Sequence, residues 1–359
     1  MIKYMLLTFA SLTILSSECI GKDKIREIAS EAGIPLIQVA YKEGKNLSLY
    51  EIATIDGVKE RVDCGTVFQA ASLSKPIFAY IVMRMVARGE MGLDVPLISY
   101  ADANRFENFE FASVLTARIV LNHKSGLPNW SASPSSTEWP STRISFLYRP
   151  DSIFAYSGEA FSYLQRAVEN IKGKGLEEIA RDEVFKPLGM SSTSYVWLNS
   201  YDSLAASGYN REGVNRGVGN FPRANSAYTL RTTAGDYMKF LIALSEGRTI
   251  GKKTREEMFK PLVNAVRYRD RLRICDETIF WGLGVGIEKN PELGDVVFHW
   301  GDNGNFRALF LIVPKSKKQQ QRILIYFTNS AAGHDIINSI SSSFLGNTKP
   351  IAVHDWVLK

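Results

Sequence analysis

Ser72-Leu73-Ser74-Lys75 is the only Ser-x-x-Lys in this chain of 359 residues. Residues three apart on a helix share a face, so a helix starting near Ser72 stacks an amine one turn from a serine hydroxyl. A hydroxyl becomes nucleophilic when a base takes its proton, and a lysine kept neutral by burial can be that base. A helix N-terminus also offers free N–H groups and a positive dipole end to a developing oxyanion. Two more groups carry chemistry. Tyr156-Ser157-Gly158 precedes a helical pattern, and a tyrosine there can shuttle a proton if a neighbouring ammonium lowers its pKa. His299-Trp300-Gly301 ends a strand pattern just before Asp302, and glycine at such a place lets a ligand lie against the backbone. Residues 122–128 read as a helix end and turn, architecture rather than chemistry. Each group is weak evidence alone; their order along the chain carries the weight.

These groups need elements to hold them. Residues 25–32 read as a short helix, and 36–41 and 47–55 as two strands joined at Glu43-Gly44-Lys45. Residues 66–68 form a short apolar element before the Ser72 helix. Pro76 falls in that helix's first turn, where a missing N–H costs little. Phe78, Ile81, Val82, Met85 and Val86 make its apolar stripe, and Gly89 stops it. Helical patterns follow at 116–122, 161–172, 176–184 and 236–244. Residues 129–143, rich in Ser, Pro and Trp without periodicity, are expected as an exposed loop over the site. Strand patterns return at 281–287, 296–300, 306–313 and 323–328, then a closing helix at 334–344. The expected fold is α+β: N- and C-terminal strands in one antiparallel sheet flanked by helices. A sheet lobe (22–92 and 245–359) would face a mainly helical lobe (93–244) across a cleft, where a site belongs.

Composition excludes several classes. The chain is 45% hydrophobic and 22% charged, an ordinary globular balance. Its net charge of +6 is scattered. The densest basic run, Lys315, Lys317 and Lys318, reads as a solvated turn, so no nucleic-acid partner is expected. His123, His299, His334 and His354 lack ligand spacing, and neither metal nor cofactor is expected. Lys3, the apolar stretch 4–15 and Ser16-Ser17-Glu18-Cys19 have the layout of a secretory leader ending by residue 21, too short to span a bilayer comfortably. Export to a periplasm or the medium is therefore expected. Membrane attachment would require lipid on Cys19, for which Glu18 is a poor neighbour. Cys64 and Cys275 would then share an oxidising compartment, where a disulfide and two buried thiols both remain open.

The order Ser72-x-x-Lys75, Tyr156-Ser157-x, His299-x-Gly301 resembles the serine hydrolases of the class C β-lactamase and penicillin-binding-protein superfamily, which includes D-alanyl-D-alanine carboxypeptidases, esterases and amidases. His123-Lys124-Ser125-Gly126-Leu127, Pro187-Leu188-Gly189-Met190, Thr232-Thr233-Ala234-Gly235-Asp236, Trp281-Gly282-Leu283-Gly284 and Gly301-Asp302-Asn303-Gly304 are also similar, so the likeness runs from about residue 36 to 340. It implies a β-lactamase/transpeptidase-like fold, with Ser72 the acylated nucleophile and Lys75 helping to accept its proton. Tyr156 would act with Lys75 as general base and pass the proton to the leaving group. The backbone N–H groups of Ser72 and Asp302 would form the oxyanion hole. Gly158, His299 and Gly301 would meet the substrate, a β-lactam, D-amino-acid peptide or ester. Both the Tyr156 oxygen and the Lys75 nitrogen should lie within hydrogen-bond reach of the Ser72 oxygen. Two positions depart from the pattern. Gly158 stands where β-lactamases and carboxypeptidases usually have Asn, and His299 where class C β-lactamases have Lys. The expectation is an exported hydrolase of amides or esters. The alternative is a binding or sensor protein acylated by β-lactams without turnover. A Ser-His-Asp hydrolase using His299 lacks any Gly-x-Ser-x-Gly elbow.

Overall fold

The computed structural model describes residues 21–54, 62–221, 223–268, 270–317 and 319–358. Most of the expected leader, including Cys19, lies outside them, as does Lys318. Among the described residues, no helix is long and apolar enough to cross a membrane.

Eight antiparallel strands make the main sheet. In chain order they are β1 (Leu36–Glu43), β2 (Asn46–Ala53), β3 (Val263–Asn264), β4 (Ile279–Trp281), β5 (Gly286–Asn290), β6 (Gly294–Asp302), β7 (Arg307–Val313) and β8 (Arg322–Thr328). Their spatial order is β2-β1-β8-β7-β6-β5-β4-β3. The first strand pairs with the last, Val39 opposite Tyr326, so the two chain ends close one sheet as the strand patterns predict.

Alternation divides the core. Phe310, Ile312, Ile323, Ile325 and Phe327 face one buried cluster, shared with the helices of the middle of the chain. Their neighbours Leu309, Leu311, Leu324 and Tyr326 face another, shared with the first helical segment, 21–31, and the C-terminal helices. A period of two with both faces apolar marks a sheet covered on both sides.

Helix α1 (Ser74–Ala87) is central, with every residue from Ser74 to Met83 buried. Helix α2 (Gly158–Lys172) begins where the Ser157 hydroxyl accepts the Ala160 N–H, and it ends at left-handed Gly173. Helix α3 (Ala234–Glu246) is capped by Thr233 in the same way. Such caps satisfy N–H groups the helix cannot.

The pattern at 281–287, expected as one strand, is the end of β4, a turn at 282–285 and the start of β5. The physical reason is clearance. A Cβ on Gly284 would stand 2.3 Å from the Ala79 Cβ, so the turn packs directly on α1, one helical turn beyond Lys75. The Gly284 N–H donates to the Leu121 carbonyl at 2.8 Å. A final helix, α4 (Ala352–Leu358), had no counterpart in the sequence reading. Cys64 is exposed and Cys275 buried, both as free thiols.

Candidate active site

Ser72 lies in the single turn Ala71–Leu73 that leads straight into α1. Ala71 holds a left-handed backbone, φ +49°, a strained conformation for a residue with a Cβ. Its surroundings over-determine it. The Ser74 hydroxyl donates to the Ala71 carbonyl at 2.6 Å and accepts the Leu230 N–H at 3.0 Å. Tyr237 donates to the Leu73 carbonyl and Tyr195 to the Ser74 carbonyl, each at 2.8 Å. The result is one half-buried serine among buried neighbours.

Lys75 Nζ donates to Ser72 Oγ at 3.3 Å and to the Ala227 carbonyl at 2.9 Å. The side chain is 1% exposed, and among the described residues it forms no ion pair with a carboxylate. Burial holds its pKa well below the ordinary lysine value, which favours a neutral amine, the form that can accept a proton.

Tyr156 sits over this amine, with Lys75 Nζ 4.7 Å from the ring centroid. The ring is partly exposed while the hydroxyl oxygen is buried. Burial pushes the phenol upward; Ser72 and the Arg267 guanidinium oppose that, and Asp302 adds to it. The phenol is therefore protonated at neutral pH, not a tyrosinate. Lys75 meets the expected reach to Ser72. The Tyr156 hydroxyl is near enough for Ser72 to affect it, yet makes no hydrogen bond of normal geometry among the described residues.

The His299 segment is placed by β6. That strand is interior to the sheet, but its pairing with β5 ends at Phe298 opposite Gly286. From His299 to Asp302 it pairs only with β7, leaving a local free edge. A Cβ on Gly301 would stand 2.3 Å from the Ala70 carbonyl oxygen. Glycine thus lets β6 lie against the nucleophile turn and brings the Asp302 backbone beside Ser72. The His299 imidazole is fully buried, beneath the pocket rather than in its wall. One nitrogen, Nδ1, lies 2.8 Å from the Trp300 carbonyl, an acceptor that places the proton on Nδ1. Burial first, then Lys75, lowers its pKa to about 3. His123 is equally buried, accepts the Ser157 N–H on Nδ1 at 3.2 Å, and lies 4.3 Å from the Tyr156 ring. Its pKa is also lowered by burial, Lys75 and His299. The motif read as architecture thus forms the floor under Tyr156.

Ser72 and Lys75 open on a cavity of about 330 Å³, whose walls include Asn129, Trp130, Tyr228 and Asp302. The 129–143 loop therefore forms part of the site wall. Gly158 is not in that wall: a Cβ there would stand 2.3 Å from the Trp130 indole, so the indole fills the space of a side chain at 158. A larger cavity of about 1000 Å³ lies on the far side of Tyr228 but contains none of Ser72, Lys75 and Tyr156. Trp130 and Arg267 were missed from sequence. Trp130 stood in the flagged loop, two residues after Pro128, whereas nothing local marks Arg267. Among the described residues no group of His, Cys, Asp and Glu is arranged to hold a metal ion.

Fold and site together define the class: an α+β protein of β-lactamase/transpeptidase-like fold, with Ser and Lys one turn apart beneath a tyrosine. The chain belongs to the Beta-lactamase family, which it matches over residues 28–338. It is 24% identical over 310 residues to a penicillin-binding protein of Bacillus subtilis (strain 168), covering 76% of this chain and 62% of that one. It is 29% identical over 153 residues to Esterase EstB of Burkholderia gladioli, 36% of this chain and 39% of the esterase. The chain thus spans less than two thirds of either relative. A penicillin-binding protein from Bacillus halodurans shares its fold at TM-score 0.74 and 20% identity, covering 89% of this chain and 98% of that one.

Proposed function

We propose that the protein is an exported serine hydrolase that cleaves a small-molecule or peptide amide or ester through an acyl-enzyme on Ser72. The observation that carries this is the Lys75 amine, buried without a carboxylate partner among the described residues and 3.3 Å from Ser72 Oγ. Lys75 accepts the Ser72 proton as Oγ bonds to the substrate carbonyl carbon. The developing oxyanion faces the backbone N–H groups of Ser72 and Asp302; such donors contribute about 3–4 kcal/mol each in comparable sites. The proton then passes, with Tyr156 as shuttle, to the departing amine or alkoxide as its bond to carbon breaks. Water later hydrolyses the Ser72 ester by the reverse transfer. Gly301 sets the distance between strand and nucleophile, and His299 and His123 support Tyr156 from below as neutral rings.

A labelled fluorophosphonate should add once per folded chain, at Ser72, and Ser72→Ala should abolish the label. Label that persists in Ser72→Ala would remove the nucleophile assignment. Steady release of nitrophenol from a nitrophenyl ester would support turnover. A single stoichiometric burst would instead support an acylated binding protein.

A further inference from the structure

We infer that Trp130 determines substrate choice by giving the pocket an aromatic wall for an apolar, aryl-bearing acyl group. The inference rests on the acyl-enzyme reading above and names its substrate class. Where the superfamily's usual pattern puts an asparagine, this chain has Gly158, and its missing side chain is replaced by the Trp130 ring. A polar amide gives way to an indole at the wall beside Ser72 and Lys75.

The wall is continuous and braced. Trp130 meets Tyr228 edge-on at 5.5 Å, and Tyr228 meets Phe221 edge-on at 4.9 Å; all three rings line the pocket. Behind Trp130 stands Trp139, also edge-on, at 5.8 Å. The Trp139 indole N–H donates to Glu159 at 2.6 Å. That buried carboxylate also accepts the Ser131 N–H at 2.9 Å and pairs with Arg105 at 3.3 Å. Glu159 thus holds both Ser131, the residue after Trp130, and the Trp139 ring packed behind it. A wall held before substrate arrives loses little entropy on binding, and its rings reward apolar contact without requiring a hydrogen-bond partner. The acyl group is the assigned occupant because it stays on Ser72 through both half-reactions, whereas the leaving group departs after the first.

The test compares nitrophenyl acetate with nitrophenyl phenylacetate, which share a leaving group and differ in acyl group. Wild type should favour phenylacetate in kcat/KM by at least about tenfold, the range of an apolar pocket contact. Trp130→Ala should lose most of that ratio, and fluorophosphonate labelling confirms that Ser72 is still reactive in the variant. Trp130→Phe should keep most of it. If Trp130→Ala fails to fold, Trp130→Leu, which keeps apolar bulk without an aromatic face, decides by the same ratio. No acyl preference in wild type, or an unchanged ratio in labelled Trp130→Ala or Trp130→Leu, overturns the inference while leaving the acyl-enzyme intact. Absence of labelling in wild type overturns the acyl-enzyme reading and this inference with it.

Discussion

Gly301→Ala tests the strand-to-nucleophile contact on which the oxyanion assignment depends. The added methyl carbon would stand 2.3 Å from the Ala70 carbonyl oxygen and 3.3 Å from the Ala71 Cβ. The first distance is about 1 Å short of ordinary contact. The obstruction is backbone, so no side-chain rotation relieves it, and either β6 or the 70–73 turn must move. That turn is held by Ser74, Tyr195 and Tyr237, so the strand gives way and takes the Asp302 N–H with it. A shift of about 1 Å in a catalytic group costs about a hundredfold in rate, and losing one oxyanion donor costs about 100- to 1000-fold. Acylation of Ser72 should therefore slow by about two orders of magnitude. Overpacking should cost only about 1–3 kcal/mol of stability. Gly235→Ala is the control: its Cβ would meet nothing nearer than 3.8 Å, and it should change neither quantity for the worse. The assays are the rate of fluorophosphonate labelling and a denaturant melt on the same samples. A Gly301→Ala enzyme acylated within about threefold of wild type, with its stability lowered as expected, would refute the claim that this contact sets the oxyanion geometry.

The pH dependence follows from the same burial. Lys75 acts as a base, so kcat/KM should rise with pH through its lowered pKa, reach a plateau, and hold until Tyr156 ionises above the ordinary tyrosine value of 10.0. A rate that falls between neutrality and pH 9 would contradict neutral Lys75 as the proton acceptor. His299 is neutral in the fold down to about 3, against an ordinary value of 6.5. Its contribution to stability is complete above 6.5 and is lost as pH falls towards 3, because only the unfolded chain takes up the proton there. Each such group steepens the loss by about 1.4 kcal/mol per pH unit; His123 and His334 act in the same sense. Urea melts at pH 7 and pH 5 should show His299→Gln losing less stability between them than wild type, and equal losses would contradict the burial argument.

The sheet was legible because its strands announce themselves by apolar runs separated by turn residues, and because first and last runs have nowhere else to pair. The helical patterns at 161–172 and 236–244 mark the right elements but begin late, because their first turns are set by the side-chain caps Ser157 and Thr233 and not by apolar periodicity. The 282–285 turn was not legible: Trp281-Gly282-Leu283-Gly284 reads as strand until the sheet must meet α1, and that demand is tertiary. The same limit applied at the site. Ser72 and Lys75 are three residues apart, so helix geometry alone joins them. Arg267 reaches the site only through packing against the Trp300 and Trp356 rings and the Trp356 carbonyl, contacts far apart in the chain.

Gly158 shows why a motif position cannot be interpreted without its neighbours. From sequence it was a lost amide, a weakness in an otherwise complete hydrolase. In the fold it is clearance for Trp130, and the residue beside it, Glu159, holds the loop that brings the indole in. Restoring an asparagine at 158 would therefore not restore the superfamily's usual pocket: its Cβ would meet the indole at 2.3 Å. The pair Gly158→Asn with Trp130→Ala could bring the amide back, whereas Gly158→Asn alone should displace Trp130 from the wall. The two changes are coupled through one shared volume, so their effects on acyl preference should be strongly non-additive. Simple additivity in a double-mutant cycle would show that the indole and position 158 do not compete for that space.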